Sequence, residues 1–196
     1  MRFIFSPLLF LIAVLSAPFS PALAETDAPF GLTWGASVED LKGAGVRLQQ
    51  RVSDQSGVRF AARDLPKALS DLGEAILSFG KNNMLHKVEA IGEDITNDPD
   101  GARLKLRYAA LARALAGKYG QGVSRHVIEE PWTRPNDFLN GIYRGTSYYY
   151  TNFTGDNVTV RLEIRATRRG LSNYAIIFQH KAPPSGNGTA RDKDVL

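Results

Sequence analysis

From Val158 to Ala166 apolar and polar residues alternate without a break. Val158, Val160, Leu162, Ile164 and Ala166 fall on one side, and Thr159, Arg161, Glu163 and Arg165 on the other. A period of two sustained over this length predicts a half-buried strand. The segment before it, Gly145 to Phe153, is rich in strand formers, and Gly155-Asp156-Asn157 supplies the turn between the two. Arg168-Arg169-Gly170 supplies the next turn, into a last strand from Tyr174 to His180. Ser147 to His180 therefore reads as three consecutive strands joined by tight turns.

A different period marks the main helix. Leu104, Tyr108, Leu111, Leu115 and Tyr119 recur at three- and four-residue intervals, the spacing of one buried helical stripe. Asp98 reads as its N-cap with Pro99 at the first helical position, Asp100 complements the positive end of the dipole, and Lys118 and Gly120 mark the stop. A shorter helix follows Ser37, where Ser37 and Asp40 form a variant capping box and Gly43 and Gly45 end it. Trp34, just outside that cap, is expected to pack under the helix start. Val46–Gln50 and Gly57–Ala61 read as short strands, and Glu74–Gly80 with Met84–Ile91 as a hairpin around Lys81-Asn82-Asn83. Leu65, Leu69 and Leu72, with Pro66 near the start, suggest a helical turn. Val123–Ile128 reads as a strand, Glu129–Asn136 as an irregular loop, and Phe138–Arg144 as the approach to the strands beyond.

The plan is thus one helix followed by about four strands, twice. It predicts a single α+β domain over residues 25–182, with antiparallel sheets each packed by one helix. The two pseudo-repeated helix-plus-four-strand halves would lie at about 30–95 and 96–182.

The N-terminus changes the setting. Arg2, the apolar run ending at Leu15, and Ala22-Leu23-Ala24 have the three-part layout of a secretory signal peptide, predicting cleavage near Ala24 and a periplasmic or secreted location. The uninterrupted run Leu8–Leu15 is far shorter than the roughly 20 residues a spanning helix needs. Nothing after residue 24 is long and apolar enough to span either, and 183–196 reads as a disordered tail. The chain has no cysteine, which for an exported protein excludes disulfides and thiol chemistry. Removing residues 1–24 takes one of 24 basic residues and none of 20 acidic ones, so the formal charge falls from +4 to +3. That excess does not point to nucleic acid.

Phe30-Gly-Leu-Thr-Trp-Gly-Ala-Ser-Val-Glu-Asp40 resembles the start of many small, uncharacterised bacterial exported proteins. These share a signal peptide, a Trp-Gly-x-Ser helix start, a short-strand hairpin and a later helix ending in Lys-Tyr-Gly, here Lys118-Tyr119-Gly120. The resemblance implies a bacterial periplasmic protein and transfers no catalytic residue.

Candidate chemistry narrows by spacing. His86, His126 and His180 lie far apart, with no partner at metal-ligand spacing, so no metal or cofactor is assigned. No nucleophile elbow or phosphate-binding glycine loop occurs. Glu129 and Glu130 are adjacent and would point to opposite faces of an extended chain, a poor carboxylate pair. The basic residues of the main helix spread around its polar arc and read as a solvated face. What remains is a surface: Trp132 in the two-proline loop, Tyr148, Tyr149 and Tyr150, and Arg161 with Arg165 on the polar face of the next strand. Exposed tyrosine beside arginine is typical of recognition surfaces. The expectation is a non-enzymatic periplasmic binding or accessory protein with a protein partner in the envelope. The alternatives are a cell-envelope hydrolase whose site is assembled only by the fold, and a structural component that oligomerises.

Overall fold

Each alternating stretch becomes a strand in the computed structural model, which describes residues 27–181 apart from Ser56 and Arg169, and only the backbone of Pro135 and Arg168. The signal peptide read from 1–24 and the tail read from 183–196 lie outside the described residues. The order is α1 (Val38–Gly43), β1 (Arg47–Asp54), β2 (Gly57–Arg63), β3 (Leu72–Phe79), β4 (Leu85–Gly92), β5 (Ile95–Thr96), α2 (Ala102–Tyr119), β6 (Val123–Val127), α3 (Phe138–Arg144), β7 (Tyr148–Thr154), β8 (Val158–Arg168) and β9 (Leu171–His180). No helix among the described residues is long and apolar enough to cross a membrane.

The fold is α+β, with one antiparallel sheet of nine strands ordered β1-β2-β3-β4-β9-β8-β7-β6, and β5 paired to β9. Two four-strand meanders are therefore continuous, because β4 hydrogen-bonds β9 from Lys87↔Gln179 to Ile91↔Ala175. All three helices lie on one face. The stripe Leu104, Tyr108, Leu111 and Leu115 of α2 is buried in one cluster with Leu77 and Val88 of the first meander and Val160, Leu162, Ile176 and Phe178 of the second. Burying such side chains contributes roughly 1.5–3 kcal/mol each. The chain before α1 crosses the same face: Phe30 meets the edge of Phe178 at 5.8 Å and Trp34 stacks on His180 at 5.2 Å. Trp34, 6% exposed, is thus buried just ahead of α1, whose Ser37–Asp40 capping box is complete.

Three local expectations need correction. Helix α2 begins at Ala102, with Gly101 in the left-handed region at φ 67°, and not at Pro99. Asp98 still caps it, from farther out: its two carboxylate oxygens accept the backbone N–H groups of Arg103 and Leu104 at 3.1 and 3.0 Å. The turn Asp98–Gly101 sets that reach, and Phe138 packs so closely on Gly101 that a Cβ there would stand 2.8 Å from the ring. Second, Leu65 and Leu69 form no helical turn. They pack partly buried against the core from an irregular connection, where Asp64 takes φ 59° and Lys67 donates its N–H to the Phe30 carbonyl. Third, Phe138–Arg144 is a helix, α3, closed by Gly145 at φ 72°.

One polar cluster ties the halves together. Arg107 of α2 donates to Asp71, just before β3, at 2.7 and 2.5 Å, and the Tyr174 hydroxyl of β9 donates to the same carboxylate at 2.9 Å. Burial pushes the Asp71 carboxyl up, but the Arg107 and Tyr174 hydrogen bonds outweigh it and hold it below the usual value.

Two outcomes follow. Asp98→Ala strips two backbone donors of a buried cap and should lower unfolding free energy by about 2 kcal/mol, read in denaturant melts. Because the folded Asp71 pKa lies below the unfolded value of about 3.9, its contribution is complete above that value and lost as pH falls through the folded one. Wild type should therefore exceed Asp71→Asn in stability near neutrality, with the gap closing on acidification through the folded pKa. A gap constant down to strongly acidic pH would contradict the assignment.

Candidate functional site

The period of two that buries one face of every strand turns the other residues to the opposite face. Among the described residues no helix covers that face. Its central rows read directly from the register: Gln49, Ala61, Ile76, Glu89, Ile177, Arg161, Asn152 and Val123 in one, with Ile91, Ala175, Glu163, Tyr150 and Arg125 in the next. The side chains cover one another. Ala175 is 0% exposed, although only neighbouring side chains stand over it.

The cover is an ion ladder. Glu163 accepts from Arg161 Nε and Arg165 Nε, both at 2.7 Å. Arg165 also donates through Nη1 to Glu89 at 2.6 Å, and Lys87 approaches Glu89 at 3.9 Å. Since Glu89 lies on β4 and Arg165 on β8, this pair spans β9 diagonally above Ala175, a residue small enough to admit it. Burial lowers the Arg165 pKa, but the bonds to Glu89 and Glu163 outweigh it and hold it above its usual value, so the charge is fixed. The Arg161 guanidinium lies 3.7 Å from the Tyr150 ring centroid, a cation–π contact.

The structure brings five of the six candidate residues to one place. Tyr148, Tyr149, Tyr150, Arg161 and Arg165 line a cavity of about 280 Å³, where β8 extends past β7 beside Ile142 and Ser147. Their faces differ. Tyr148, 45% exposed, and Tyr150 share the uncovered face with the arginines. Tyr149 points to the helix side, stacked parallel on His126 at 3.7 Å and edge-on to Tyr108 at 4.9 Å and Phe138 at 5.7 Å. Burial pushes its hydroxyl pKa up and that of His126 down. Trp132 is apart from the set: it packs against Gly141 of α3, with Arg144 5.4 Å from its ring.

The basic residues of the first meander belong to this face as well. Eight basic side chains lie on the uncovered face (Arg47, Arg51, Arg59, Arg63, Lys87, Arg125, Arg161, Arg165) against four acidic ones (Asp54, Glu74, Glu89, Glu163). The other described residues, leaving out Arg168, carry eleven basic and thirteen acidic side chains. The positive excess therefore sits on this face. The alternation Arg59-x-Ala61-x-Arg63 was the available signal, hidden by reading the strand as ending at Ala61.

Glu129 and Glu130 are exposed, and neither lines this cavity or the groove between β1 and β3. Among the described residues no group of three or more His, Asp or Glu is placed to hold a metal ion. No protein-family model, curated protein or solved structure matches the chain.

The division of the tyrosines has a direct consequence. Tyr149→Ala should cost about 3 kcal/mol in urea melts, as a packed aromatic does. Tyr148→Ala should stay within about 0.5 kcal/mol of wild type. Equal costs would mean that the two rings are not on opposite faces.

Proposed function

We propose that this is a non-enzymatic, exported binding or accessory protein whose uncovered sheet face recognises an acidic segment of a partner protein. The observation that carries the reading is the one-sided sheet. Its helix-free face holds the positive excess of the described residues, with Tyr148 and Tyr150 beside Arg161 and Arg165. Half-buried Ile76, Ile91 and Ile177 supply apolar contact between the charges. Seven inter-strand steps of about 4.8 Å and a shared strand length of five residues at about 3.4 Å each give a face of about 34 by 17 Å, or roughly 600 Å². That approaches the ~800 Å² each partner contributes to a standard interface. Its charge pattern would steer an acidic partner and fix its orientation, while Tyr148 offers the rigid aromatic anchor. The periplasmic setting rests on the signal-peptide pattern of residues 1–24 and on the Trp34-Gly35-x-Ser37 resemblance.

Site-specific photo-crosslinking in the native envelope tests this. A benzophenone side chain at position 148 should yield an adduct with one protein, mapped to an acidic segment, and Arg161→Glu should reduce it strongly. The same probe at exposed Leu106, on the helix side, should not yield it. No protein adduct from position 148, the same adduct from both positions, or adducts with lipid alone would overturn the proposal.

A further inference from the structure

At the far end of the same face, β1, β2 and β3 enclose a groove of about 360 Å³ lined by Arg47, Gln49, Arg51, Ala61, Arg63 and Glu74, among others. Three features of its construction shape it. Arg47 stands directly opposite Arg63 in the β1–β2 register, and like charges in that position are destabilising. Arg51 is the extra residue of a β-bulge between Gln50 and Val52, the device that re-aims a side chain. The outward-pointing Ala61 is small, which leaves depth between the guanidinium groups.

The counter-charges do not balance. Arg47 pairs with Asp64, and Arg51 with Glu74 at 2.9 Å. Both pairs are solvent-exposed, the class of ion pair that is weak and readily exchanged. Arg63 makes no hydrogen bond or ion pair among the described residues; its charge reaches Asp64 only through space. The Arg47 hydrogen bond, with help from the Arg63 charge, holds the Asp64 carboxyl below its usual value despite desolvation. Asp64 is thus ionised at neutral pH, and the groove sets three guanidinium groups against two carboxylates.

We propose that this groove binds the carboxylate of an acidic side chain of the partner, with Arg63 as the residue that receives it. One unmatched positive charge calls for one negative charge, and the planar guanidinium fork matches a planar carboxylate. A phosphate, with about −1.5 to −2 charge, would overfill the site unless it displaced Asp64 or Glu74. The proposal rests on the acidic-partner reading above, and names where that partner is gripped.

Backbone-amide NMR of the protein, titrated with hexaglutamate and separately with inorganic phosphate, tests it. Hexaglutamate should shift amides of residues 47–51 and 59–63, and salt should weaken the effect. Arg63→Gln should weaken that binding at least about tenfold, the scale of a lost hydrogen bond to a charged group. Arg63→Lys, which keeps the charge but not the fork, should weaken it less, and Arg113→Gln on the exposed side of α2 should leave it unchanged. Phosphate at the same concentration should not compete. Unchanged binding in Arg63→Gln, or phosphate competing equally, would overturn the proposal. Hexaglutamate shifts confined to Tyr148–Arg165 would overturn this anchor and leave the broader reading standing; no shifts anywhere on the face would sink both.

Discussion

The β4–β9 ladder is the interaction on which everything else depends. Without it the protein would be two separate four-strand meanders, β1–β4 and β6–β9, each with a further unpaired edge. With it, the last strands of both halves become the centre of one sheet. The ladder is locked by Tyr174 of β9, which is 1% exposed and lies against Gly92 of β4 so tightly that a Cβ there would stand 2.3 Å from the ring. Its hydroxyl reaches Asp71, and Asp71 is gripped by Arg107 of α2. A glycine at 92 is thus a packing requirement, and one tyrosine joins sheet, helix and the connection into β3.

Joining the meanders in this way leaves the helices on one side only. The opposite face must then manage buried backbone and apolar atoms without a covering layer. It does so with long side chains lying across short ones, Arg165 and Glu89 over Ala175 being the clearest case. A charged ladder in that position is not a strong source of stability, since exchanging water for ion pairs returns little. What it does provide is a face whose groups are held in place before anything binds, which reduces the ordering cost of association.

Much of this was legible in the sequence. The alternation of Val158–Ala166, the stripe of α2 and the Ser37–Asp40 box each report a local period or cap that packing reinforces. What was not legible depended on distant contacts. Helix α3 is only seven residues and takes its stability from Phe138 and Leu139 packing under the sheet's helix-covered face, a contact no local pattern announces. Gly101, not Asp98, holds the N-cap position of α2, and the reach of Asp98 to Leu104 depends on the left-handed turn at Gly101 against Phe138. Alternation groups Tyr148 with Tyr150 and Arg161 with Arg165, but only the β7–β8 register sets the two pairs on one face. Trp132 could not be placed, because its loop has no period.

The two ends of the uncovered face are fixed relative to each other by the same ladder. From β2, which carries Arg63, to β8, which carries Arg161 and Arg165, the sheet order counts four inter-strand steps. At about 4.8 Å each, that is about 19 Å, the span of roughly six residues of extended chain. Arginines at this separation on strands, rather than on loops, form a rigid gauge. A ligand with one negative charge can satisfy one end only. A segment carrying acids about six residues apart satisfies both when it lies across the strands, and the second contact then forms at high effective concentration. On the binding function proposed above, the joined sheet would make two modest charge clusters a gauge of charge spacing along an acidic partner.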